Sequence, residues 1–374
     1  MMIDIINAIW GIDSNTSDLD KFTGYEHLYD KFDTYTKEVY YANPEQTIQE
    51  VYDLYRSVNL VPITYFSEEG LRKELKHFKR RGYNHVTENV QGLGNNAGAS
   101  IGRFLFPNMM TAEPKGRGSN SLRDRFLDER KLKRAIRICF EFRDSNKLVY
   151  PMALRTALEL VTGENVTNFK AQHARSIVEQ LCPAIWGRVY DYSMGYGGRL
   201  LGVSSSNMNY TYIGTDPNTE TFAYLQYLNE LLGSSGVGNE LYCETSQDFQ
   251  PEDIDCAFSS PPYFNLEKYS DEPTQCMVQF SNLDEWFDGY AVQTMQNIYN
   301  GLNTGGIFAT NIADYKTYGQ KEPILVVDRW IETAETLGFK HTNTIKMLLN
   351  TRPGVGNERK EGRQKWEGIY VFKK

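Results

Sequence analysis

The sequence predicts an α/β fold in which a largely parallel sheet occupies the C-terminal part and a mainly helical region precedes it. Three observations carry this expectation. Short apolar runs near 188–191, 210–214, 241–243 and 254–259 alternate with helical patterns, the rhythm of strand–helix–strand crossovers. The runs stop abruptly at glycine, an acid or proline, as strands do when they deliver functional loops to one edge of a sheet. The first 150 residues hold basic helical stretches and no internal repeat. Residues 1–150 are therefore read as an accessory region and 151–374 as the sheet-bearing domain.

Each element of that domain has its own signal. A helical run at 168–181 leads to the first strand, which passes through Asp191-Tyr192-Ser193-Met194-Gly195-Tyr196-Gly197-Gly198-Arg199 into a helix. Gly195 and Gly197 let the backbone turn and approach a ligand with no Cβ in the way, while Asp191 marks the strand end. The second strand ends in Thr215-Asp216-Pro217-Asn218. That puts Asp216 about twenty residues past the first glycine, where an acid can accept hydrogen bonds from ribose hydroxyls. A third, short strand precedes Gln247-Asp248-Phe249. Asp248 and Phe249 suit a planar amine-bearing ring, one for its amine and one for its face; an acid here equally caps a turn.

The fourth strand stops in Ser260-Pro261-Pro262-Tyr263. Two prolines cannot continue a ladder and fix the backbone they sit in. The Ser260 hydroxyl and the Pro261 carbonyl can take both hydrogens of an exocyclic amine, with Tyr263 stacked on the base. A helical run from 283 to about 299, a strand at 307–312 after Gly305-Gly306, a helix near 322–337 and closing strands near 343–349 and 367–372 complete the pattern. Asn311 is expected to emerge at the same crevice as the proline corner, or to form a turn.

In this order of motifs the chain resembles the S-adenosylmethionine-dependent methyltransferases. The Ser-Pro-Pro-Tyr corner is similar to the signature of those that methylate exocyclic amines of DNA bases. The resemblance covers roughly residues 165–374. It implies a Rossmann-like seven-stranded methyltransferase sheet with its last strand antiparallel, S-adenosylmethionine as cofactor and DNA as partner. It also implies roles: Asp191, Gly195 and Gly197 at the methionine end of the cofactor, Asp216 at its ribose, Asp248 with Phe249 at its adenine, and Ser260, Pro261, Pro262 and Tyr263 as the catalytic corner. Phe169 and Lys170, at the start of the 168–181 run, stand where such enzymes touch the methionine carboxylate, although Lys170 reads equally as a solvated helix residue.

The chain departs from the family at Asp191-Tyr192-Ser193, where Asp-Pro-Phe is usual. Serine at position 260 leans toward cytosine N4, yet adenine N6 presents the same amine to Pro261 and stays open. So do an RNA amine and a nucleic-acid-binding subunit without turnover. Methylation at cytosine C5 is disfavoured, because it needs a cysteine nucleophile that in its family follows proline, and no Pro-Cys pair occurs. A phage or bacterial DNA modification system is the setting the resemblance implies.

Composition sets outer bounds. A hydrophobic content of 40% supports a large core. The five cysteines are scattered and never in Cys-x-x-Cys spacing, which reads as reduced cytoplasmic thiols without a disulfide framework or a zinc site. No apolar run reaches the length of a membrane span. The net charge of −8 resides wholly in residues 1–53, with eleven acids and three bases; the remaining 321 residues carry thirty-seven of each. That leading segment is expected to face away from DNA or to meet a protein partner. Bases gather at 72–81, at 115–143 and at Arg352, Arg359, Lys360, Arg363 and Lys365, where they can neutralise phosphates or form solvated helix faces.

Overall fold

The computed structural model describes all residues except 1–27, 58–61, 64, 81–89, 92–96, 117, 143–146, 183, 234–235, 237, 318 and 350–365. The start of the acidic leading segment, the stretch 92–96 and the basic group at 352–365 thus lie outside the described residues. The chain forms two compact units: Met1–Leu71 with Arg103–Thr167, and Arg72–Gly102 with Asn168–Lys374.

The first unit is helical. Its helices Pro44–Ser57, Leu122–Leu127, Glu129–Glu141 and Pro151–Thr162 start at positions whose chemistry favours a start: Ser121 and Asp124 form a reciprocal capping box, Asp128 caps Lys131, and Pro151 stands in the first turn. Tyr40 stacks on Phe140 with ring centres 4.5 Å apart, and Tyr55 donates its hydroxyl to the Val149 carbonyl at 2.7 Å. Arg125 is buried, donating to the carbonyls of Asn120, Leu158 and Glu164 and to the Asn165 side chain. It is therefore a core cross-link and not part of a basic surface. In the same run Lys133 pairs with Glu129 and Arg137 with Glu45, leaving Arg130 and Arg134 exposed. The division expected at residue 150 falls inside this unit, because Pro151–Thr162 and the loop after it are tied to Arg125.

The second unit holds one sheet of eight strands: β1 (Val90–Gln91), β2 (Trp186–Asp191), β3 (Asn209–Thr215), β4 (Glu240–Tyr242), β5 (Ile254–Ser259), β6 (Leu302–Ile312), β7 (Lys340–Leu348) and β8 (Trp366–Lys373). Their order is β1-β7-β8-β6-β5-β2-β3-β4. β8 runs antiparallel to β6 and β7, and the other pairs are parallel. The expected α/β, Rossmann-like sheet of seven strands with an antiparallel last strand is present. The eighth strand, β1, spans two residues and carries no sequence signal of its own.

Both expected long helices differ in detail. The run from 283 is Leu283–Trp286, a π-turn Phe287–Ala291 and Val292–Gly301. The helix expected at 322 begins at Val327, since the Asp314 carboxylate takes the N–H groups of Val326 and Val327 at 2.8 and 3.1 Å and fixes the start there. The core of this unit is rich in aromatic rings. Trp286, Tyr290, Trp330, Phe308, Phe339 and Phe372 bury together with Tyr190 and Tyr192.

Candidate functional site

In an open parallel sheet, ligands bind beyond the carboxyl ends of the strands where the order reverses. Here that point lies between β2 and β5: from β2 the chain winds outward through β3 and β4, and from β5 it winds the other way through β6. Both motif loops leave the sheet there. The Ser259 hydroxyl, at the end of β5, donates to Asp191 Oδ1, at the end of β2, at 2.6 Å. Glycine turn and proline corner therefore share a border.

Asp191 is buried and fully engaged. Besides Ser259, it accepts from the Ser193 N–H at 3.2 Å, from the Tyr212 hydroxyl at 2.6 Å and from Arg199 Nε at 2.8 Å. Its partners come from the turn itself and from β3, β5 and the helix Gly198–Val203, so it fastens the strand ends together. The departure at Tyr192 has a physical explanation as well. The buried Tyr192 hydroxyl shares a 2.8 Å hydrogen bond with Thr310 of β6, which also receives the Trp330 indole N–H at 3.2 Å. An aromatic anchor stands where proline is usual.

The turn is built for close approach. Gly195 and Gly197 have φ of +51° and +69°, the left-handed region that favours glycine. A Cβ on Gly195 would meet no atom within 4 Å, whereas one on Gly198 would sit 1.9 Å from the Phe169 carbonyl oxygen. The space beside Gly195 is open, and Gly198 is needed for packing. Asp216 borders this space: its Oδ2 accepts the Gly195 N–H at 2.8 Å and its Oδ1 the Asn218 N–H at 3.1 Å. Burial pushes its carboxyl up to about 6 against the pull of those two N–H groups. Each oxygen keeps a second lone pair for an incoming hydroxyl.

The other expected ligand residues fall in different settings. Phe169 lies edge-on to Phe258 at 5.6 Å, with the Arg199 guanidinium 5.4 Å from its ring centre. Lys170 occupies the position before the helix Ala171–Leu181, half-buried, and burial lowers its pKa. Asp248 is exposed and accepts from the Thr245 hydroxyl at 2.5 Å, the geometry of a turn acid. Phe249 packs on Tyr242 at 4.6 Å and on Tyr190 at 5.6 Å. Asn311 donates to the Gly368 carbonyl at 3.0 Å, which ties it to β8.

At the corner, Pro261 is buried while Ser260, Pro262 and Tyr263 are partly accessible. The Tyr263 hydroxyl accepts the Ala313 N–H at 3.0 Å, and its ring meets Tyr315 edge-on at 4.7 Å. Ser260 Oγ accepts from Arg199 Nη1 at 2.9 Å. Arg199 escaped the sequence reading, although it directly follows the glycines. Nothing about a lone arginine opening a helix shows that it reaches the next motif.

The segment after the corner, residues 264–282, is one of the places the sequence leaves for target recognition, though nothing in it marks its partners. Glu272 accepts from the Thr219 N–H at 3.2 Å and from the Thr219 hydroxyl, and Gln247 Nε2 donates to Gln279 at 3.0 Å. Residues 264–282 are thereby strapped to the loops after β3 and β4. Tyr196 and Tyr269 meet edge-on at 6.1 Å, and the Tyr269 hydroxyl donates to Glu267.

No family model matches the chain, and no curated protein matches it in sequence. Among solved structures it is similar to an S-adenosylmethionine-dependent O-methyltransferase of Thermotoga maritima, with 14% identity, TM-score 0.37 and coverage of 58% of this chain and 69% of that one. It is likewise similar to a TehB-like S-adenosylmethionine-dependent methyltransferase of Corynebacterium glutamicum, with 17% identity, TM-score 0.36 and coverage of 59% and 96%. A fibrillarin of Aeropyrum pernix with natively bound S-adenosyl-L-methionine shows 11% identity, TM-score 0.34 and coverage of 56% and 79%.

Proposed function

We propose that this protein is an S-adenosylmethionine-dependent methyltransferase that acts on the exocyclic amine of a DNA base, with cytosine N4 as the target. The observation that carries the reading is the shared border at the sheet's switch point, where the 2.6 Å bond from Ser259 to Asp191 joins the glycine turn to the Ser-Pro-Pro-Tyr corner. Donor and acceptor sites side by side are what a direct methyl transfer requires.

The residues fit the cofactor on their own geometry. The open space beside Gly195 admits a ligand against the backbone, and Asp216 at its edge offers two free lone-pair directions for a ribose diol. When bound, the cofactor supplies an electrophilic methyl on a sulfonium. The protein's task is positioning. Ser260 Oγ and the Pro261 carbonyl accept the two amine hydrogens, turning the nitrogen lone pair out of the ring plane, and Tyr263 lines the base pocket. The amine would attack in a direct displacement without a covalent enzyme intermediate, the sulfur leaving as a neutral thioether and the surplus amine proton passing to water. Lys73, Lys76, His77 and Arg80 form an exposed basic face in the sheet-bearing unit, in keeping with a phosphate-bearing substrate. Among the described residues no helix is long and apolar enough to cross a membrane.

The test is to incubate the protein with isotopically labelled cofactor and DNA, digest to nucleosides and identify the labelled one by mass. N4-methyldeoxycytidine is expected. N6-methyldeoxyadenosine would move the target to adenine, label in RNA alone would replace the substrate class, and no label in either would reject the reading.

A further inference from the structure

We infer that Arg199 is a positioning residue for methyl transfer: it acts through Ser260, setting the direction in which that hydroxyl meets the acceptor amine. The inference rests on the proposed reaction and adds a residue outside the corner.

Arg199 is buried and its guanidinium is spent in three directions. Nε donates to Asp191, Nη1 to Ser260 Oγ at 2.9 Å, and Nη2 to the Ser193 carbonyl. Burial is the largest single influence and works against its charge, but Asp191 together with the Tyr212 and Tyr192 hydroxyls outweighs it and holds the guanidinium above its ordinary value. Neutralising Asp191 needs only the first of these bonds. Of the other two, Nη2 braces the glycine turn and Nη1 carries the connection to the corner, across which the backbone ladder of β2 and β5 pairs at Val189 and Tyr190.

The consequence for Ser260 follows from its inventory of one proton and two lone pairs. With one lone pair taken by Nη1, the hydroxyl keeps a single lone pair, and the planar fork fixes where it points. A serine without this partner rotates among three staggered positions and must be ordered each time a base enters. Arg199 makes that arrangement beforehand, so its contribution appears in the transfer step and not in cofactor capture. A lysine cannot replace it, because one ammonium offers no planar fork for Asp191, Ser193 and Ser260 together.

The experiment is a double-mutant cycle on the full chain with R199K, S260A and R199K/S260A. It measures kcat with DNA, KM for DNA and cofactor affinity by calorimetry. R199K is expected to lower kcat up to ~100-fold with cofactor affinity held within ~3-fold, and to cost almost nothing further once Ser260 is alanine. Equal losses from R199K in both backgrounds, or a loss confined to cofactor affinity, would overturn the inference and leave Arg199 a fastening of the turn. Should R199K not fold, R199Q takes its place in the same cycle and is judged by the same two outcomes. Absence of methyl transfer by the wild-type chain would remove the proposed reaction and this inference with it. Transfer with independent losses removes the inference alone.

Discussion

Asp216 yields the sharpest quantitative prediction. Its carboxyl is buried and pushed up to about 6, while the proposed cofactor contact requires the ionised form to accept two hydroxyl donors. Binding and protonation therefore compete. Affinity is complete above pH about 7 and falls as pH drops through about 6, opposite to the behaviour of a group that must be protonated to bind. At pH 5, one unit below, the ionised share is roughly one in eleven, so the dissociation constant rises about tenfold, or ~1.4 kcal/mol. About 0.9 proton should be released per cofactor bound at pH 5 and nearly none at pH 7. Titration calorimetry with S-adenosylmethionine at pH 5, 6 and 7, in two buffers of different ionisation enthalpy, reads both quantities. Asp216→Asn should bind weakly at pH 7 and show no release. A flat affinity from pH 7 to 5 in the wild-type chain, with equal heats in the two buffers, would refute the assignment of Asp216 to the ribose.

Other substitutions separate packing from binding. Gly198→Ala forces a Cβ into the Phe169 carbonyl and should lower the urea-unfolding free energy by at least ~1–3 kcal/mol. Gly195→Ala meets open space and carries only the left-handed backbone cost of roughly 1–2 kcal/mol, yet it should abolish cofactor binding in calorimetry. Tyr263→Phe orphans the Ala313 N–H and should destabilise by ~1–3 kcal/mol in urea while transfer continues. Tyr263→Ala should end transfer in a labelled-methyl assay with cofactor affinity intact.

The parts that could be read from the chain were those written locally. β2, β3 and β5 announce themselves because an apolar run ends at an acid, a glycine or a proline pair, and each such stop is dictated by the backbone of those few residues. What escaped depends on partners distant in sequence. Arg199 reaches Ser260 across 61 residues, and Glu272 reaches Thr219 across 53, with nothing local to mark either. β1 exists only because β7 offers it an edge. Asp248 and Asn311 had alternatives as turn formers. Nearby structure engages both, through the Thr245 hydroxyl for one and the Gly368 carbonyl for the other.

The interleaving of the two units has a practical consequence for dissecting the protein. A fragment begun at residue 151 would retain seven strands but lose β1 and with it the pairing at Lys346 and Met347 of β7. It would also lose the helical residues 72–80, whose Lys79 ammonium donates to the Leu232 carbonyl at 3.1 Å and whose Lys79 carbonyl accepts from Arg175. Such a fragment would lack part of its own compact unit, so a downstream half prepared alone is a poor proxy for the sheet-bearing unit. Any shortened version must carry the 72–102 excursion with it.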